Sequence, residues 1–143
     1  MKKLLLILSL IVVSNVVNAK VSCEEANGYI LTGADGKTQY CLSKPNMSWW
    51  SAFAWCDAIE NASIVDITIE CNKKLADGFA CPQIALATGV PGYEEKGGWT
   101  MVWMKNTPTN DTAYRMRLSG GERNFAILPR KETYISALCV LGH

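Results

Sequence analysis

Hydrophobic and polar positions alternate with different periods along this chain, and each period predicts an element. Trp49, Ala52, Phe53, Cys56 and Ile59 recur at steps of three and four, lining one face of a helix from Trp49 to about Ile59. Ser48 is its N-cap, because a serine hydroxyl can take a free N–H of the first turn. Trp50 and Trp55 fall off the stripe and are expected to cover a second surface. Upstream, Gly28–Thr32 and Lys37–Leu42 read as strands around the tight-turn pair Asp35-Gly36, which predicts a hairpin. A turn containing Pro45 then leads to the helix, and Ser63 to Ile69 is rich in branched residues that favour an extended stretch.

The second half is less regular. Glycines and prolines crowd Asn72 to Gly98, signalling loops around a short apolar piece, Ile84 to Ala87. Trp99, Met101 and Trp103 alternate along a strand, and Ala113 to Leu118 alternates apolar residues with Arg115 and Arg117. Gly120-Gly121 turns the chain back over Asn124 to Leu128, and Tyr134 to Val140 reads as a last strand. One helix among short strands is an α+β pattern.

Composition adds a compartment. Lys2 and Lys3, the apolar run Leu4 to Val13 and the exit Val17-Asn18-Ala19 make residues 1–19 a signal peptide by pattern, too short and too interrupted for a membrane anchor. Lys20-Val21-Ser22 lacks the apolar residue that lipidation of Cys23 would need. Residues 20–143 then suit a single exported domain with no stable membrane span. Removing Lys2 and Lys3 from 14 basic residues against 13 acidic ones leaves a near-neutral remainder, with no basic stripe for nucleic acid. The 6 cysteines follow the signal, an even count that reads as a disulfide framework. Zinc is the weaker alternative, since no Cys-x-x-Cys pair occurs and the lone histidine is His143.

Trp49-x-x-Ala52-x-x-x-Cys56, followed by Ile64-Val65-Asp66-Ile67, resembles the first half of the C-type lectin-like domain. Tyr134-Ile135-Ser136-Ala137-Leu138-Cys139-Val140 resembles that domain's closing strand, and the likeness is to a compressed bacterial form. It covers most of Cys41 to Val140. The resemblance implies an α+β, disulfide-stapled C-type lectin-like fold, with short helices packed on small antiparallel sheets. It also implies the pairs Cys56–Cys139, Cys23–Cys41 and Cys71–Cys81. The family's calcium and sugar motifs are missing: Val90-Pro91-Gly92 and Thr107-Pro108-Thr109 carry no flanking acid or amide, and Asn124-Phe125-Ala126 stands where Trp-Asn-Asp is expected. Calcium takes six to eight oxygens, so no metal ligands and no cofactor are assigned.

The candidate ligand-binding residues are Tyr93, Glu94, Glu95, Asn110, Asp111 and Arg123, the polar loop groups and the late basic cluster that also holds Arg115, Arg117, Arg130 and Lys131. No catalytic residue is assigned. Without an internal histidine, Ser-His and Cys-His pairs are excluded, and Asp57 with Glu60 on one helix face reads as solubilising. The expected function is an exported, non-enzymatic recognition or adhesion module for a protein or glycan, without calcium, in the periplasm, at the bacterial cell surface or secreted. The alternative is a structural or assembly subunit of a cell-surface complex; a carboxylate glycosidase comes third.

Overall fold

The computed structural model describes residues 19–71, 73–75, 78–85, 100–118, 125–128 and 133–142. Of the expected signal peptide, only Ala19 falls within them. The first hairpin forms: β1 (Gly28–Thr32) pairs antiparallel with β2 (Gln39–Met47), Gly28 opposite Ser43 and Thr32 opposite Gln39. Asp35 closes its tip. The Thr38 hydroxyl donates to Asp35 Oδ2 at 2.6 Å, and the N–H groups of Lys37 and Thr38 donate to Oδ1. These bonds hold the Asp35 carboxyl well below the usual carboxylate range. Gly36 supplies the left-handed backbone the turn needs, with φ 72°.

The sequence predicts a turn at Pro45, yet β2 runs through it. Proline gives no N–H to a ladder, and the register of β2 against β9 (Ile135–Leu141) shifts between Leu42 and Asn46. Ser43 fills the gap: its hydroxyl accepts the Ala137 N–H and donates to the Pro45 carbonyl, both at 2.7 Å. The strand then enters α1 (Trp49–Asp57), whose N-cap Ser48 accepts the Ser51 N–H at 3.2 Å. The helix ends two residues sooner than its apolar stripe, but Trp49, Ala52, Cys56 and Ile59 are all buried.

β3 (Ala62–Ile64) follows, and there the extended stretch stops. Asp66 caps a single turn, α2 (Ile67–Glu70), in place of the strand that Ile67 and Ile69 favour by propensity. Side-chain capture of the Thr68 N–H outweighs that preference, which is weak and depends on context. A small hairpin, β4 (Lys73–Leu75) with β5 (Gly78–Ala80), and a second single turn, α3 (Pro82–Ala85), occupy part of the region expected to be loops. β6 (Met101–Trp103), β7 (Ala113–Arg117) and β8 (Phe125–Leu128) then form an antiparallel meander.

The sheets differ from the small antiparallel set expected. Among the described residues there is one mixed sheet of seven strands, in the order β1-β2-β9-β6-β7-β8 with β3 also on β9, plus β4–β5. β3 takes one end of a β9 edge, Ala62 opposite Leu141 through Ile64 opposite Cys139. That leaves the other end free, and β6 joins it in parallel, Val102 opposite Ser136. Val65 links the two segments, donating to the Leu138 carbonyl at 3.2 Å and accepting the Lys105 N–H at 2.8 Å.

Alternation along β9 divides the core into two faces. Ala137 and Cys139 turn to α1, where they pack with Trp49, Ala52, Cys56, Cys41 and Trp103. Leu138 and Val140 turn the other way, toward Leu31, Tyr40, Val65, Val102, Met104 and Met116. Three disulfides staple this arrangement, Cys23–Cys41, Cys56–Cys139 and Cys71–Cys81, the same pairs that the lectin-like resemblance implies.

Candidate functional site

Asp66 organises a concave surface beside α1. Its Oδ1 accepts from the Thr68 N–H at 2.9 Å, the Thr68 hydroxyl at 2.7 Å and Asn106 Nδ2 at 3.1 Å. Asn106 returns the contact, its Oδ1 accepting the Ile67 N–H at 2.8 Å. The segment after β6 is thereby locked to the start of α2. Burial pushes the Asp66 carboxyl up, but the bonds from Thr68 and Asn106, with Lys105 nearby, outweigh it and hold the group below its ordinary range. Lys105 Nζ lies 3.9 Å from Asp66 Oδ2 with its side chain half exposed, a pair worth about 0–1 kcal/mol.

Between this lock and α1 lies a pocket of about 200 Å³. Phe53 and Asp57 come from α1, Ser63 and Ile64 from β3, and Val140 from β9. Asp66, Ile69 and Glu70 line the α2 side, with Lys105 beside them. Glu70 is the unusual member, a carboxylate only 8% exposed. Tyr40 Oη donates to its Oε2 at 2.5 Å. Burial first, and then the bond to Glu70, push the Tyr40 phenol far above its ordinary value.

The residues expected to bind ligand are elsewhere. Asn110 and Asp111 sit on the exposed loop joining β6 and β7, and neither lines the pocket. Tyr93, Glu94, Glu95 and Arg123 lie outside the described residues, as do Arg130 and Lys131. Arg115 is half-buried in β7; its Nη1 donates to Met101 Sδ at 2.9 Å and its buried Nε has no hydrogen-bond partner. Asp57 and Glu60 do not share a helix face, because α1 ends at Asp57 and Glu60 lies in the following turn, donating to the Val21 carbonyl. Asp66, Glu70 and Lys105 were not among the expected site residues. The available signal was Asp66 two residues before Thr68, a side-chain cap that can open a helical turn in a branched segment.

Among the described residues, no group of three or more His, Cys, Asp or Glu side chains is placed to hold a metal ion. No helix among them is long and apolar enough to cross a membrane. Three disulfides in so small a domain indicate an oxidising compartment. No protein-family model, no curated protein and no solved structure matches this chain.

Proposed function

We propose that this chain is an exported, non-enzymatic recognition module of C-type lectin-like fold that binds a protein or glycan without calcium. The pocket between α1, β3 and α2 carries this reading, since its walls come from separate segments fixed by the Asp66–Asn106 lock and backed by the sheet. A preformed concavity with a few convergent polar groups is the usual form of a binding site. The helix tied to the closing strand by Cys56–Cys139 supports the lectin-like part. Calcium independence rests on the missing Glu-Pro-Asn and Trp-Asn-Asp motifs. Catalysis is left out of the proposal because the chain has no internal histidine to pair with a serine or cysteine nucleophile.

The assembly-subunit reading draws on a different surface. Trp50, 57% exposed, follows Met47 by three residues and Tyr134, 69% exposed, precedes Ile135, and Met47 and Ile135 face each other in register. Arrays of glycans and of bacterial surface proteins, probed with disulfide-intact protein in calcium and in chelator, separate the readings. The proposal expects saturable binding of a distinct partner, equal in both buffers. Self-association in place of a partner, abolished by Trp50→Ser, would favour assembly.

A further inference from the structure

We propose that the pocket takes a single lysine or arginine side chain from a protein partner, its aliphatic stem along Phe53, Ile64, Ile69 and Val140 and its cationic head at Glu70 and Asp57. This rests on the recognition reading and names the ligand chemistry of the same site.

Size comes first. About 200 Å³ is below the roughly 300–1,000 Å³ of sites for whole small molecules. At about 30 Å³ of liquid volume per water, it holds the equivalent of some seven waters, suited to one long side chain. Charge comes second. Three carboxylates, Asp57, Asp66 and Glu70, face one ammonium, Lys105. Lys105 lies beside Asp66, so Asp57 and Glu70 have no cation within ion-pair distance among the described residues.

Glu70 decides the point. It is more than nine-tenths buried and lines the pocket, yet the one hydrogen bond to its carboxylate among the described residues runs from Tyr40 to Oε2. No donor among the described residues reaches its Oε1. The buried side-chain atom left without a partner among the described residues is Arg115 Nε, so Glu70 Oε1 keeps contact with solvent; a partner's ammonium or guanidinium can reach it there and supply a cation to a mostly buried carboxylate. The apolar floor matches the other half of such a side chain, since lysine and arginine lay their methylene stems on apolar surface and keep the charged head at polar groups. A glycan hydroxyl would satisfy the hydrogen bond but leave the charge uncompensated, so a basic protein side chain is the better fit.

The test is amide chemical-shift titration of the ¹⁵N-labelled, disulfide-intact exported chain. The probes are Nα-acetyl-lysine methylamide, its arginine counterpart, and the norleucine counterpart, which keeps the stem and lacks the charge. The cationic probes should give saturable shifts over residues 53–57 and 63–70 and at Lys105, at least tenfold tighter than norleucine. Glu70→Gln, which keeps an acceptor for Tyr40, should weaken the cationic probes at least tenfold and leave norleucine unchanged. Lys105→Met should tighten them by removing a like charge. Equal affinity for lysine and norleucine, no pocket shifts at tens of millimolar probe, or indifference to Glu70→Gln in a variant with an unchanged melting curve would each overturn the assignment. Array partners whose binding survives Glu70→Gln would leave the recognition reading standing without this ligand. Pocket shifts with no array partner would do the reverse.

Discussion

At the scale of single residues, the most consequential contact joins Tyr40 to Glu70, two buried polar groups 30 positions apart. Nothing in the local pattern marks them: Tyr40 reads as one apolar position of a strand and Glu70 as the polar end of a branched stretch. Hairpin and helical turn bring them together only once the sheet has formed. Tyr40→Phe should cost about 1–3 kcal/mol, because it strands a buried carboxylate oxygen, and urea unfolding would measure it. The same pair sets a pH dependence. The Tyr40 phenol is held above its ordinary value of about 10, so its contribution to stability is full below that pH. It is lost as pH rises toward the folded-state value, because the unfolded chain ionises first and gains the charged form. Wild type should therefore lose stability more steeply above about pH 10 than Tyr40→Phe does; parallel alkaline profiles of the two proteins would remove Tyr40 as the cause.

At the scale of elements, periodicity served well wherever one face is buried. Trp49, Ala52, Cys56 and Ile59 occupy the interior as their spacing predicts, and Trp50 stays exposed, edge-on to Trp49 at 4.8 Å. Trp49 Nε1 also donates to the Met104 carbonyl at 2.9 Å, fixing α1 to the residue that follows β6. Trp49→Ala should cost about 3–5 kcal/mol and Trp50→Ala only about 0.5–1.5 kcal/mol, the scale of an aromatic pair. Thermal or urea unfolding would compare them, and equal losses would put the helix in a different phase. Periodicity failed at α2, where four residues are too few to show a helical stripe and the deciding interaction is the Asp66 side chain. Asp66→Ala should cost about 0.5–2 kcal/mol through loss of the cap and should also loosen the pocket, seen as faster amide exchange at Thr68 and Ile67. Its carboxylate pKa is lowered, so the stabilisation is present above the ordinary aspartate range and fades as pH falls through the depressed value.

At the scale of the whole molecule, β9 is the centre, paired with β2, β3 and β6. Cys41 and Cys139 lie opposite each other in register, yet each bonds outward, to Cys23 and to Cys56. The middle of the sheet is thus tied both to the N-terminal turn and to α1. Cys56–Cys139 closes a separation of 83 residues and Cys71–Cys81 one of 10. By chain entropy these are worth about 4.5 and about 2.7 kcal/mol, so Cys56→Ser with Cys139→Ser should lower the melting temperature more than Cys71→Ser with Cys81→Ser. The reverse order would contradict the role given to the α1–β9 link. The even cysteine count made a disulfide framework legible in the sequence. The parallel β6–β9 contact was not, because neither strand's own alternation names its neighbour. Nor was the pocket, which takes its walls from α1, β3, α2, β9 and Lys105, two residues past β6.

Recognition at that pocket without calcium is the central claim, and amide chemical-shift mapping of a partner found on the arrays tests it most directly, in calcium-free buffer and again with calcium added. Saturable shifts over residues 53–57 and 63–70 and at Lys105, identical in the two buffers, are the result predicted. Shifts confined to the exposed loop at Asn110 and Asp111, or appearing only when calcium is present, would contradict it.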